Sequence, residues 1–180
     1  MTKKSKSIDN ILGNLLERAK ELSCIYELEE ILKTPGLNVN DTAAQIAGIV
    51  PPAMKYPDIC HVRISLQEEY ITGKKIKDTP WMISQKIKVQ EQVVGQIDII
   101  YSEEKPPADH GPFLKEERRL LDTIAQRFGD HIMYQNLRDV FNKLDNKTVP
   151  ESKKREAEWR IVLDLLRRTD PDVFIRISRK

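Results

Sequence analysis

A chain of 180 residues, 39% hydrophobic and 32% charged, holds one compact domain plus helical extensions under a large polar surface. A formal net charge of +2 gives no bulk electrostatic drive towards nucleic acid, and no apolar run approaches the roughly 20 residues needed to cross a bilayer. Cys24 and Cys60, without CxxC spacing or a nearby histidine pair, exclude a disulfide scaffold and a zinc knuckle.

The N-terminus lacks the apolar core of a signal peptide, so two buried thiols in a cytoplasmic protein are expected. The basic groups Lys3, Lys4 and Lys6, and Lys153, Lys154 and Arg155, read as solvated linkers. From Ser7 to Lys33 the pattern is helical, interrupted at Gly13. Ile8, Leu12, Leu15, Ala19, Leu22 and Tyr26 recur at alternating spacings of four and three, a heptad-like stripe too short to stand alone as a coiled coil. A second stripe, Ile25, Leu28, Ile31 and Leu32, widens the apolar face. Two uses fit: a homodimer seam carried by Leu12, Leu15, Ala19 and Leu22, or one long helix packed on its own domain. Thr34-Pro35-Gly36 ends it, because Pro35 lacks a donor and disfavours helical geometry at Thr34.

Asn40 or Asp41 is the expected cap of a second helix, whose face is Ala43, Ala44, Ile46, Ala47 and Val50 and which Pro51-Pro52 should stop. After Tyr56-Pro57-Asp58 come the strands. Cys60, Val62, Ile64 and Leu66 alternate with His61, Arg63 and Ser65, the period of a half-buried strand. Glu69 to Thr72 reads as its short partner. Met82 to Val89 and Val93 to Tyr101 read as a hairpin around Gln90-Glu91-Gln92, with Gly95 marking a bulge or a close backbone approach. Short turns between four strands predict an antiparallel meander. A long helix is expected from about Pro112, with Leu120, Leu121, Ile124, Ala125, Phe128 and Ile132 at helical spacing and Glu116 and Glu117 in its solvated first turn.

Residues 142–151 have linker composition, and Trp159, Val162, Leu163 and Leu166 mark a further helix. After Thr169-Asp170-Pro171, Phe174 and Ile177 open another that runs to Lys180, so a further module is expected downstream. The divisions are 1–34, an N-terminal helix; 35–142, an α+β domain closed by a long helix; and 143–180, linker and connector helices.

Catalytic chemistry finds no constellation. The 7 glycines are scattered without a phosphate loop, and Glu29/Glu30 and Glu116/Glu117 are adjacent helix positions that point different ways. His61 falls at a polar strand position, His110 in a loop and His131 on the long helix. Of these only His131 suits a phosphoacceptor, and that role needs an exposed ring. No catalytic residue, metal site or cofactor is expected.

Several strings carry a family resemblance. Leu16-Glu17-Arg18-Ala19-Lys20-Glu21-Leu22, then Ile49-Val50-Pro51-Pro52 with Tyr56-Pro57, then Glu103-Glu104-Lys105-Pro106, and Asp109 to Arg118, resemble a GAF-like sensory module over about residues 11–140. That module occurs in sensor histidine kinases and at the N-terminus of proteins related to phosphoenolpyruvate synthase and pyruvate phosphate dikinase. Glu158-Trp159-Arg160 through Asp172, with Ile175 to Lys180, is similar to the connector of the second setting. The resemblance implies an antiparallel sheet of about four or more strands flanked by N- and C-terminal helices, with extra C-terminal helices. It also implies a regulatory role, a downstream catalytic module and a small-molecule effector between sheet and surrounding segments. Tyr56, Arg63, Trp81 and Met82 fall where that pocket would lie; the alternative is that Trp81 and Met82 fill the core and Arg63 is a solvated strand residue. The cyclic-nucleotide motif of some GAF domains is absent. Homodimerisation through the first and long helices is the expected assembly.

Overall fold

The computed structural model describes residues 3–145. The elements are α1 (Lys3–Lys33), α2 (Val39–Ala53), a 3-10 turn (Pro57–Ile59), β1 (Cys60–Leu66), β2 (Glu69–Thr72), β3 (Met82–Val89), β4 (Gln92–Tyr101) and α3 (Lys115–Asp145). The fold is α+β, with one antiparallel four-stranded open sheet and three long helices. The chain divides into two units after Gln135. The first therefore holds α1, α2 and the sheet together rather than setting residues 1–34 apart. Residues 142–145 continue α3 instead of opening the linker, and the linker and helices expected beyond them lie outside the described residues.

Two helix boundaries differ from expectation. Asn38 caps α2, its Oδ1 accepting the Asp41 amide at 2.8 Å, and the Asp41 carboxylate accepts in return from the Asn38 side-chain amide at 2.7 Å. Pro51 and Pro52 sit inside the last turn. They remove two amide donors, yet the chain stays helical because Ala53 and Met54 are buried there. The helix α3 starts three residues after Pro112. Its first amides are satisfied by carboxylates, Leu114 N–H by Glu117 at 2.6 Å and Lys115 N–H by Asp109 at 3.0 Å.

The sheet is no meander. Its order is β2-β1-β4-β3, so the chain leaves the edge strand β2 and returns on the opposite edge as β3. The central strand β4 pairs with β1 through Val62↔Ile99 and Ile64↔Ile97, and with β3 through Ile83↔Ile99. These pairs stack the apolar positions of three strands on one face. Gly95 lies at the register shift between Ile87 and Lys88, and a Cβ there would collide with the Ser65 carbonyl oxygen.

The core fills that face. Cys24 and Leu28 from α1, Ala43, Ile46 and Val50 from α2, and Leu121, Ile124 and Phe128 from α3 close over Val62, Ile64, Ile87, Ile97 and Ile99. Helix α3 crosses β3 so closely that a Cβ on Gly129 would strike the Lys88 carbonyl oxygen. The helices α1 and α3 lie side by side and run in the same direction: Glu29 meets Arg127 at 3.6 Å, and Gln135 reaches the Leu37 carbonyl at 3.2 Å.

Candidate functional site

The connection between the edge strands, residues 73–81, crosses the face of the sheet opposite the helices. There Arg63 on β1 stands beside its register partner Asp98 on β4, and both are buried, at 8% and 3% exposure. Arg63 donates from Nε and Nη2 to Asp98 Oδ2, each at 2.8 Å. From Nη1 it reaches Asp78 at 2.7 Å and the Ile76 carbonyl at 3.4 Å, and from Nη2 the Met82 sulfur at 3.7 Å. The Tyr70 ring lies 5.4 Å from the guanidinium carbon, and Gln96 donates to the second Asp98 oxygen at 2.6 Å. Burial pulls the Arg63 pKa down, but Asp78 and Asp98 outweigh it and hold the value above the ordinary one. Arg63 is thus neither a solvated strand residue nor a free cation: it pins the crossover to the sheet. Of its two carboxylate partners Asp78 is exposed and Asp98 buried, so Asp78 is the one a competing anion could displace.

The four expected pocket residues do not converge. Arg63 and Met82 touch on the crossover face. Tyr56 and Trp81 pack instead against the helix-side core. The Tyr56 ring meets Tyr101 edge-on at 5.7 Å, and Tyr101 stacks on Phe113 at 4.3 Å. Lys55 and Lys105 approach the Tyr56 ring at 5.4 and 5.5 Å. Trp81 fixes the strand end through its carbonyl, which accepts from the Tyr101 amide at 2.9 Å.

A second buried carboxylate escaped the sequence reading, which placed Glu117 on a solvated turn. It is 1% exposed, whereas Glu116 is exposed as expected. Besides Leu114 N–H, Glu117 accepts from Lys55 N–H at 2.7 Å and from the Tyr101 hydroxyl at 3.1 Å. One side chain therefore ties the end of α2, the end of β4 and the start of α3. Burial and the Glu117 charge together push the Tyr101 pKa well up. The same two causes, in that order, push the Cys60 thiol up to about 12, and Cys24 reaches about 12 chiefly by burial. Both thiols are free and buried. The signal in the sequence was a carboxylate three residues into a helix, the reaching-back position of a capping box.

His131 is 8% exposed, its Nε2 lying 3.3 Å from the Gln135 amide. Burial lowers its pKa against a smaller opposing contact from the Leu32 backbone. A ring so enclosed does not meet the exposure a phosphoacceptor needs. His61 and His110 are exposed. Among the described residues, every buried polar side-chain atom has a hydrogen-bond partner, and no cluster of histidine, cysteine and carboxylate side chains is arranged for a metal ion.

The open surface is on α1. Leu12, Leu15, Leu22 and Tyr26 are between 53% and 71% exposed, Ala19 is exposed, and Ile11 and Leu16 flank the stripe equally bare. The first buried residue of the helix, among those whose side chains are described, is Cys24. On the α3 side, a groove of about 380 Å³ is lined by Arg18, Glu21, Leu22 and Ile25 from α1 and by Glu116, Arg119, Leu120 and Thr123 from α3. Glu21 there is raised above its ordinary pKa of 4.5, first by burial and then by Glu116. No helix among the described residues is long and apolar enough to cross a membrane. Compared with protein families, curated proteins and solved structures, the chain matches none.

Proposed function

We propose that this chain is a non-catalytic, cytoplasmic regulatory module of the GAF-like type, working as a homodimer at the head of a phosphotransferase related to phosphoenolpyruvate synthase and pyruvate phosphate dikinase. The observation that carries the reading is the apolar stripe of α1, bare on the side away from the core. An isolated helix of 12–15 residues is marginal in water, and over residues 11–16 of α1 the described side chains are in solvent. Burying a leucine contributes roughly 1.5–3 kcal/mol, so covering this stripe outweighs any propensity difference along the helix. The resemblance over residues 11–140, and that of the tail, support the family and the parent protein.

The interior supports a structural rather than a chemical use of its ionisable groups. Arg63, Asp98, Glu117 and His131 are each held by neighbours that the fold itself requires. A small-molecule effector bearing an anionic group would enter at Arg63 by displacing Asp78. Asp78→Ala removes this internal competitor and should tighten any such ligand in a thermal-shift titration with central metabolites. Unchanged or weaker binding contradicts that entry point. ATP-dependent turnover by the full 180-residue chain would overturn the non-catalytic reading.

The input domain of a sensor histidine kinase is the second reading, favoured by α1 and α3 running side by side in one direction. The two readings separate by assay of the whole parent protein: autophosphorylation on a histidine favours the kinase input domain, and ATP-dependent phosphotransfer to pyruvate favours the phosphotransferase.

A further inference from the structure

The helices α1 and α3 keep one register where they meet. Leu37 is reached by Gln135, 98 residues later, and the same offset sets Glu29 against Arg127, where opposed charges meet at 3.6 Å. Carried back towards the start of α3, it sets Arg18 opposite Glu116, Glu21 opposite Arg119 and Leu22 opposite Leu120. All six line the groove of about 380 Å³, at the small end of the roughly 300–1,000 Å³ usual for ligand pockets. The charges are complementary across the groove, yet no ion pair among the described residues includes any of the four. Elsewhere on the same helices neighbours do pair, as Lys20 with Glu17 and Arg118 with Asp122. Open space separates the opposed charges, beside an apolar lining in which Leu120 is buried and Ile25 half-buried.

We propose that this groove binds a small zwitterion with a short apolar side chain, an α-amino acid of the leucine type, held between the two helices. Two cations and two carboxylates leave the groove without net charge, so a ligand of one sign would meet as many repelling groups as attracting ones. A molecule carrying both signs completes the pairs that the helices leave open. Its carboxylate accepts from a planar guanidinium, and its ammonium donates to the carboxylates. Glu21 marks the ammonium end: it is half-buried, and burial, then the Glu116 charge, raise its pKa against a smaller opposing pull from Arg18. A cation between Glu21 and Glu116 offsets both causes. The apolar side chain then lies against Leu22 and Leu120. The site sits among the helices, on the other side of the sheet from Arg63, and is independent of the anion entry proposed there.

Ligand-observed NMR titration of the full chain tests this with three probes: L-leucine, isocaproate, which lacks the ammonium, and isopentylamine, which lacks the carboxylate. Leucine should bind with a millimolar or tighter dissociation constant, and each analogue about tenfold or more weakly. That comparison needs no variant. Glu116 and Arg119 are exposed, so Glu116→Gln and Arg119→Gln should fold, and each should weaken leucine by a similar factor. Asp78→Ala, which opens the entry at Arg63, should leave leucine binding unchanged. No leucine binding at ~10 mM, well above a millimolar dissociation constant, or isocaproate binding as tightly as leucine, overturns the zwitterion site. Leucine binding that ignores both groove variants and tightens in Asp78→Ala places the ligand at Arg63 and overturns the groove.

Discussion

The two halves of α1 follow opposite rules. From Cys24 onward the helix buries Cys24 and Leu28 in a core where every buried polar side-chain atom among the described residues is paired. Over 11–16 the described side chains are exposed, and four of them are Ile11, Leu12, Leu15 and Leu16. A body that satisfies its own groups needs nothing further for stability, whereas a bare apolar stripe on an unsupported helix calls for a partner. Changes in the body should alter stability and leave the oligomeric mass alone. Changes in the stripe should do the reverse.

The largest effect expected in the body is at Glu117. Glu117→Ala leaves Lys55 N–H, Leu114 N–H and the Tyr101 hydroxyl without their acceptor, a loss of about 3–5 kcal/mol in urea unfolding. Glu117→Gln, which keeps one carbonyl acceptor, should lose less. A loss below 1 kcal/mol for Glu117→Ala would show that this carboxylate does not hold the three elements together. Next comes Gly129→Ala, which drives a methyl into the Lys88 carbonyl and should cost about 1–3 kcal/mol although alanine is the better helix former. Stabilisation by this change would mean that α3 does not press on β3 there.

His131 gives a smaller, pH-dependent effect. Its folded pKa is below the ordinary 6.5, so the unfolded chain binds its proton more readily. Stability should therefore fall as pH drops through about 6.5 and stop changing on this account below the folded pKa. His131→Gln should flatten the melting-temperature profile between pH 7.5 and 5.5, and an unchanged slope would assign the dependence elsewhere. The smallest effect belongs to the β1–β2 turn, where Gln67 and Glu68 both hold positive φ, at 50° and 68°. Replacing the pair by Asn-Gly should raise stability by about 0.5–1 kcal/mol in the same unfolding assay. A loss would mean that those side chains make contacts worth more than the strain.

Local pattern made much of this architecture legible. The alternation from Cys60 to Leu66, the hairpin ending at Tyr101, the bulge at Gly95 and the long final helix all follow from periodicity and glycine chemistry. The crossover was not legible, because strand order depends on which apolar faces meet in three dimensions and a short turn does not encode it. Asp98 within the run Ile97 to Tyr101 was the available clue: a carboxylate among buried neighbours needs a cation, and Arg63 is its register partner. Glu117 was misread because its acceptor role joins segments 62 residues apart. The apolar stripe of α1 was visible as a spacing, but its exposure needed the structure, since the same pattern would also serve a helix packed on its own domain. The candidate pocket fared least well. Tyr56 and Trp81 were grouped with Arg63 and Met82 by resemblance, and the two pairs lie in different surroundings.

The central claim is that the exposed half of α1 joins two copies of this chain. Light scattering of the full chain at ~100 µM, far above a typical micromolar dissociation constant, tests it directly when run beside Leu15→Glu. The account predicts twice the 20.9 kDa chain mass for the parent. It predicts a monomer for Leu15→Glu, with the cooperative unfolding of the body retained. A monomeric parent, or a Leu15→Glu protein that remains dimeric, would contradict it.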